Sequence, residues 1–116
     1  MDENRLRAFV EAYLKQDIDT VMGYITDDCL YITTTGPGPG TVYTGKEEVR
    51  RGFVEVMTAD DDGSTLDVGA LFVSGDRGVT EWSIRVGDKI VMRGCDLYEF
   101  KGDKIRRKDV FRKVMS

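Results

Sequence analysis

Asp96 sits where a strand should be oily. Between Ile90 and Phe100, strict alternation puts Ile90, Met92, Asp96, Tyr98 and Phe100 on one face, so a carboxylate stands in a row of core side chains. An unpaired buried charge costs several kcal/mol or keeps its proton, and a polar pocket behind the sheet would offset that cost. A second acid is brought in by the next turn. With a two-residue loop at Gly102-Asp103, Phe100 faces Ile105, Tyr98 faces Arg107 and Asp96 faces Asp109. Directly opposed side chains lie about 5 Å apart at Cβ, too close for two carboxylates to ionise independently. One of the pair would then have a raised pKa, which gives an acid and a base at the same pH, suited to proton transfer next to a carbonyl. The alternative is that both acids form ion pairs with Arg93, Arg107 or Lys113.

The elements that must position these residues are helices first, then strands. Leu6, Phe9, Val10, Tyr13 and Leu14 form one apolar stripe on a first helix. Asp17 caps a short second helix with Ile18, Val21, Met22 and Ile25 inward, closed by Thr26-Asp27-Asp28. Cys29 to Thr35 reads as a strand, and Gly36-Pro37-Gly38-Pro39-Gly40 as a loop, either a lid or a connector. Thr44 and Glu47 read as a capping box opening a third helix, with Val49, Phe53, Val56 and Met57 inward, and Asp60-Asp61-Asp62-Gly63-Ser64 closes that section. Strands are expected at about Leu66 to Val73, Val79 to Val86, Ile90 to Phe100 and Lys104 to Val114. No crossover helices separate them, so the sheet is antiparallel. A three-residue loop at Gly87-Asp88-Lys89 places Trp82 against Gly94, Ile84 against Met92 and Thr80 against Asp96, which keeps the apolar phases together. Arg106, Lys108 and Arg112 then fall on the outer face of the last strand, as a solvated or subunit-contact surface. The fold class is α+β, with three helices packed on a curved, mainly antiparallel sheet.

The chain has 116 residues with 41% hydrophobic content, which suits a single domain spanning 1–116. Its net charge of −4, with no long basic stripe, disfavours nucleic acid as a partner. The apolar runs are far shorter than a bilayer span, and Met1-Asp2-Glu3-Asn4 does not resemble a signal peptide, so a cytoplasmic protein with no membrane partner is expected. Histidine is absent, and Cys29 and Cys95 lack metal-ligand spacing, which removes histidine triads and most zinc or iron sites, so no metal site is expected. Carboxylates, tyrosines, lysines and thiols remain as proton carriers.

Asp17-Ile18-Asp19, Thr26-Asp27-Asp28-Cys29, Tyr43-Thr44-Gly45-Lys46-Glu47 and the run Asp96 to Ile105 with Asp109-Val110-Phe111 after it together resemble the SnoaL-like family of the nuclear-transport-factor-2-like superfamily. The resemblance covers nearly the whole chain. It implies a cone-shaped α+β barrel, dimeric through its sheet, with a hydrophobic pocket inside the cone and no cofactor. Asp96 matches the aspartate that ketosteroid isomerases use as an oxyanion donor, but the positions of their base and tyrosine hold Thr33 and Phe9. Asp109 resembles the last-strand pocket aspartate of polyketide cyclases and epoxide hydrolases, while the hydrolase arginine and second aspartate are replaced by Trp82 and Ile84. Asp96 and Asp109 are therefore the candidate catalytic pair. Tyr13, Tyr31, Thr33, Phe53, Met57, Trp82 and Tyr98 are the candidate ligand-binding residues, although inward aromatic residues also serve as plain core. The expected ligand is a small apolar molecule handled by an isomerase, cyclase or lyase type of proton transfer, or by a non-catalytic binding or assembly module. Val91, Cys95, Leu97, Val110 and Val114 are expected on the outward sheet face beside Arg93, Arg106 and Arg112, as the surface of a homodimer.

Overall fold

The structure is a computed structural model that describes residues 1–36, 38, 40–58 and 63–114. The expected turn at Asp60-Asp61-Asp62 and the two loop prolines lie outside the described residues. Helix α1 (Glu3–Leu14) starts where the Asp2 side chain accepts from the Arg5 amide, and buries Leu6, Phe9 and Ala12. Helix α2 (Ile18–Met22) is capped by Asp17, as expected, through the Thr20 amide. Strand β1 (Ile25–Ile32) begins four residues before the expected Cys29. Ile25 belongs to it because it pairs in parallel with Ile105, a contact that no local signal announces. A short strand β2 (Val42–Thr44) precedes α3 (Lys46–Met57). Gly45 rather than Thr44 is the N-cap of α3, and Glu48 rather than Glu47 reaches back, accepting from the Thr44 amide at 3.1 Å.

The remaining strands are β3 (Ser64–Ser74), β4 (Arg77–Val86), β5 (Lys89–Lys101) and β6 (Lys104–Arg112). They form one six-stranded open sheet in the order β2-β1-β6-β5-β4-β3, antiparallel except for the β1–β6 pair. The helices cover one face, and Phe9, Phe53, Leu6, Ile25 and Ile105 are the largest fully buried side chains of the core between helices and sheet. This is the α+β cone that the helix stripes and Gly-punctuated strands imply, with edges at β2 and β3 rather than a closed barrel.

Each hairpin turns on a Gly-Asp pair: Gly75-Asp76, Gly87-Asp88 and Gly102-Asp103. The glycines have φ of 58°, 59° and 61° and the aspartates do not have positive φ, the combination that a type II′ turn requires. The loop at Gly87-Asp88 therefore has two residues, not three. A bulge at Val91 supplies the missing step, so the expected partners Trp82 and Gly94, Ile84 and Met92, and Thr80 and Asp96 do face each other.

The loop at Gly102-Asp103 has the expected two residues, but a bulge at Arg106 shifts the register of the rest of β6. Phe100 pairs with Ile105, then Glu99 pairs with Arg107, Tyr98 with Lys108, Leu97 with Asp109 and Asp96 with Val110. One extra residue exchanges the faces of a strand. Asp109 thus lies on the outer face, away from Asp96, while Lys108 and Val110 point inward. The expected opposition of two aspartates and the outward placement of Lys108 and Val110 are both overturned. The alternation left the choice almost even, since one phase buries Ile105 and Phe111 and the other Ile105 and Val110. The bulged phase has the better charge balance: it turns one acid and one cation inward, Asp96 and Lys108, where the unbroken ladder would turn in Asp96, Asp109 and Arg107.

Candidate functional site

Between the helices and the inner face of the sheet lies a cavity of about 480 Å³. Tyr13 reaches it from α1, Tyr31 and Thr33 from the end of β1, and Trp82, Tyr98 and Asp96 from the sheet. Aliphatic residues such as Val10, Val68 and Met92 make much of the rest of the wall. Phe53 and Met57, also expected to bind ligand, are not lining residues; both are packed in the core.

The polar end of the cavity is built around Asp96, which is 9% exposed. Trp82 Nε1 donates to Asp96 Oδ1 at 3.1 Å, and the Tyr98 hydroxyl donates to Oδ2 at 3.2 Å. Since Tyr98 has one proton and gives it to Asp96, the 3.1 Å contact between Thr80 Oγ1 and the Tyr98 hydroxyl must run from Thr80 to Tyr98. The chain of donors is directional and ends on the carboxylate. Gly94 makes this geometry possible, because a Cβ there would come within 2.4 Å of the Trp82 ring that lies across it.

Lys108 Nζ lies 3.4 Å from Asp96 Oδ2, with both side chains largely buried. The ammonium also faces the rings of Tyr13 and Tyr31, each at 4.9 Å from the centroid, and of Phe53 at 5.5 Å. Phe53 therefore supports the site from behind. Burial works against the lysine's charge, but the Asp96 carboxylate, followed by Tyr13, Tyr31 and Tyr98, outweighs it and holds the Lys108 pKa well above the ordinary lysine value. Lys108 is a fixed cation at neutral pH, not an amine nucleophile. Burial, and then the Asp96 charge, push the Tyr98 phenol up, and burial does the same for Tyr13. Neither phenol ionises near neutrality. The Cys29 thiol is pushed up to about 12 by burial, so it serves as inert core.

Asp109 does not join this site. It forms an ion pair with Arg107 at 3.0 Å on the outer face, which is one of the pairings the sequence allowed. Asp96 is also ion-paired, though with none of the three expected cations. Lys108 is the residue of the candidate site that sequence reasoning missed. The signal for it was charge balance: an unbroken ladder would set a second acid, Asp109, as well as Arg107 beside Asp96, whereas the bulge at Arg106 leaves Asp96 and Lys108 to balance one another.

At the mouth, the Thr33 hydroxyl shares its one proton between the carbonyls of Thr35 and Thr41, at 3.1 and 3.3 Å, and the Thr41 amide and hydroxyl both donate to the Thr35 carbonyl. These bonds pin the base of the glycine-rich loop beside the cavity. Among the described residues no group of three or more acids and cysteines is placed to hold a metal ion, and no helix is long and apolar enough to cross a membrane.

The SnoaL-like domain family matches residues 6–108. No curated protein matches the chain. Among solved structures, an NTF2-like protein of unknown function from Mesorhizobium loti superposes with a TM-score of 0.81 at 21% identity, over 96% of this chain and 89% of that one. A candidate ketosteroid isomerase from Kribbella flavida gives 0.76 at 15% identity, over 98% and 78% of the two chains. A candidate polyketide cyclase from Sinorhizobium meliloti gives 0.74 at 15% identity, over 93% and 94%. At these identities the structures share a fold with this chain and nothing finer. The family match spans most of the sequence, the three-helix cone agrees with it, and the chain belongs to the SnoaL-like family.

Proposed function

We propose that this protein binds a mainly apolar small molecule in the cone, with the polar end of the molecule against the cluster of Asp96, Lys108, Tyr98 and Thr80. The observation that carries this reading is a cavity of about 480 Å³ whose wall is mostly apolar and whose buried charges are gathered at one end. Native mass spectrometry of the purified protein tests it, with Val110→Phe as the variant that fills the cavity beside Asp96. A retained small molecule that Val110→Phe loses is the expected result. Failure of any member of a hydrophobic compound set to bind or to raise the melting temperature would count against it.

A second reading is favoured by the ammonium 3.4 Å from the carboxylate. Asp96 would take a proton from the carbon next to a ligand carbonyl, the electron pair would move to the carbonyl oxygen beside Lys108, and Asp96 would return the proton to carbon. Deuterium uptake from heavy water into an enolisable ketone, abolished by Asp96→Asn, is the measurement that separates catalysis from binding alone.

The same proposal extends to assembly. Phe72, Leu97 and Phe111 are 62%, 43% and 48% exposed, and the strand register puts them on the outer sheet face, where Phe111 stands in place of the expected Val110. Two copies joined through this face would cover them. Sedimentation as a monomer at micromolar concentration would exclude the dimer.

A further inference from the structure

Two features of the cavity's polar end bear on what kind of head group it accepts. The first is the balance of charge. Asp96 and Lys108 cancel one another, and the further charged residue on the cavity lining, Glu55, stands near the mouth with its carboxylate accepting from Tyr43 at 2.7 Å. A carboxylate head would bring a second anion against Asp96, and an ammonium head would meet Lys108. Either leaves an uncompensated charge in apolar surroundings, which is costly. The second feature is the supply of donors. Trp82 and Tyr98 have given their protons to Asp96, and Thr80 has given its own to Tyr98. Lys108 has three N–H groups and, among the described residues, one ion-pair partner, Asp96 Oδ2; it also faces the rings of Tyr13, Tyr31 and Phe53, and the phenol oxygens of Tyr13, Tyr31 and Tyr98 favour its charge without a hydrogen bond from it. The ammonium lines the cavity with donor capacity to spare.

We propose that the cavity selects an uncharged ligand and holds one acceptor oxygen of it, of the carbonyl type, on the Lys108 ammonium. This rests on the ligand-binding reading and sharpens it to a chemical class: neutral ketones, esters, lactones or quinones on an apolar skeleton, against the acids and amines of the same skeleton.

Trp82 is the single tryptophan of the chain and lines the cavity, so its emission reports binding without a label. Four probes that share one rigid skeleton are titrated at neutral pH: adamantane, adamantanone, adamantane carboxylate and adamantylammonium. The ketone should bind about tenfold tighter than each of the other three, the usual value of a hydrogen bond to a charged donor. Asp96→Asn leaves Lys108 as an unbalanced cation, and the preference should pass to the carboxylate. Asp96→Asn combined with Lys108→Met removes both charges, and should bind ketone and hydrocarbon alike. This double variant also keeps the test open if a single substitution does not fold. A preference of the unsubstituted protein for carboxylate or ammonium, or equal binding of all four probes, overturns this inference while the ligand-binding reading stands. If none of the four binds, both fall together.

Discussion

The β4–β5 and β5–β6 hairpins are built alike and do different work. Each turns on a Gly-Asp pair, makes two ladder pairs, and then carries one extra residue on its second strand, Val91 in one and Arg106 in the other. Their surroundings differ. The tip of the first is exposed at Val86, Lys89 and Ile90. The tip of the second buries Phe100 and Ile105, and it is docked on the start of the chain: the terminal amine donates to the Gly102 carbonyl at 2.8 Å and Arg5 Nε to the Asp103 carbonyl at 2.6 Å. A bulge next to a free tip adjusts a register. A bulge next to a docked tip decides which residues face the cavity, because the tip cannot move to absorb the phase.

The largest effect should come from testing that difference directly. One glycine inserted between Arg107 and Lys108 forces either the buried Ile105 or the buried Lys108 to the wrong face. It should cost about 4 kcal/mol or more, the scale of losing a large core side chain. The same insertion between Val91 and Met92 can be taken up by the exposed tip, and should cost about 1 kcal/mol. Urea denaturation of the two variants measures both, and equal losses would mean that docking of the tip does not matter.

The next effect concerns the residue that the second bulge brings inward. Lys108→Met keeps the side chain's length but leaves Asp96 buried without its cation, at an expected cost of about 3–5 kcal/mol. Adding Asp96→Asn should recover a large part of that loss, since two neutral groups need no charge balance. A double-mutant cycle in which the two losses simply add would show that the pair does not interact.

Alkaline pH probes the same cluster more gently. The folded-state pKa of Lys108 is raised, so its contribution is fully present below the ordinary lysine value of about 10.4 and is lost as pH rises through the higher folded value. Tyr13 and Tyr98 act in the same direction. Their phenols ionise in the unfolded chain from about pH 10 but resist doing so when folded, so the unfolded state gains as pH rises. The denaturation midpoint should hold level up to about pH 9 and fall above 10. Lys108→Met should make that fall shallower, whereas a substitution at the exposed tip of the first hairpin should leave it unchanged.

How far the sequence discloses this molecule depends on the same contrast. The stripes built on Leu6 and Phe9 and on Val49, Phe53 and Met57 announce their helices, although Leu14 and Val56, also expected inward, are 43% and 48% exposed. Asp96 was legible as an inward residue because Tyr98 and Phe100 fix its phase. The Val91 bulge could be inferred in effect, though not in form, since only one alignment kept Trp82, Ile84 and Met92 on one side. In Lys104-Ile105-Arg106-Arg107-Lys108-Asp109-Val110 the apolar residues are too few to choose a phase. The phase adopted is the one that sets Lys108 beside Asp96, a pairing across strands that local periodicity does not register. β1 begins early for a related reason: Thr26-Asp27-Asp28 has the composition of a turn, and its place in the sheet comes from pairing with residues about eighty positions away.

The smallest expected effect completes the contrast between the two faces of β6. Asp109 was expected to share the site with Asp96, yet the Arg106 bulge leaves it on the outer face, paired with an Arg107 side chain that is 41% exposed. A pair open to water on one side is worth about 1 kcal/mol or less, so Asp109→Asn should change stability by no more than that. It should also leave the binding of adamantanone unaltered, because no atom of Asp109 lines the cavity. Asp96→Asn should change both. If Asp109→Asn instead weakened ligand binding as strongly as Asp96→Asn, the strand would have to present Asp109 inward, and the bulge at Arg106 would not exist in solution. Salt gives a second check on the same point. About 1 M sodium chloride should erase the small Asp109 effect through screening, while the cost of losing Lys108, which is 5% exposed, should largely persist.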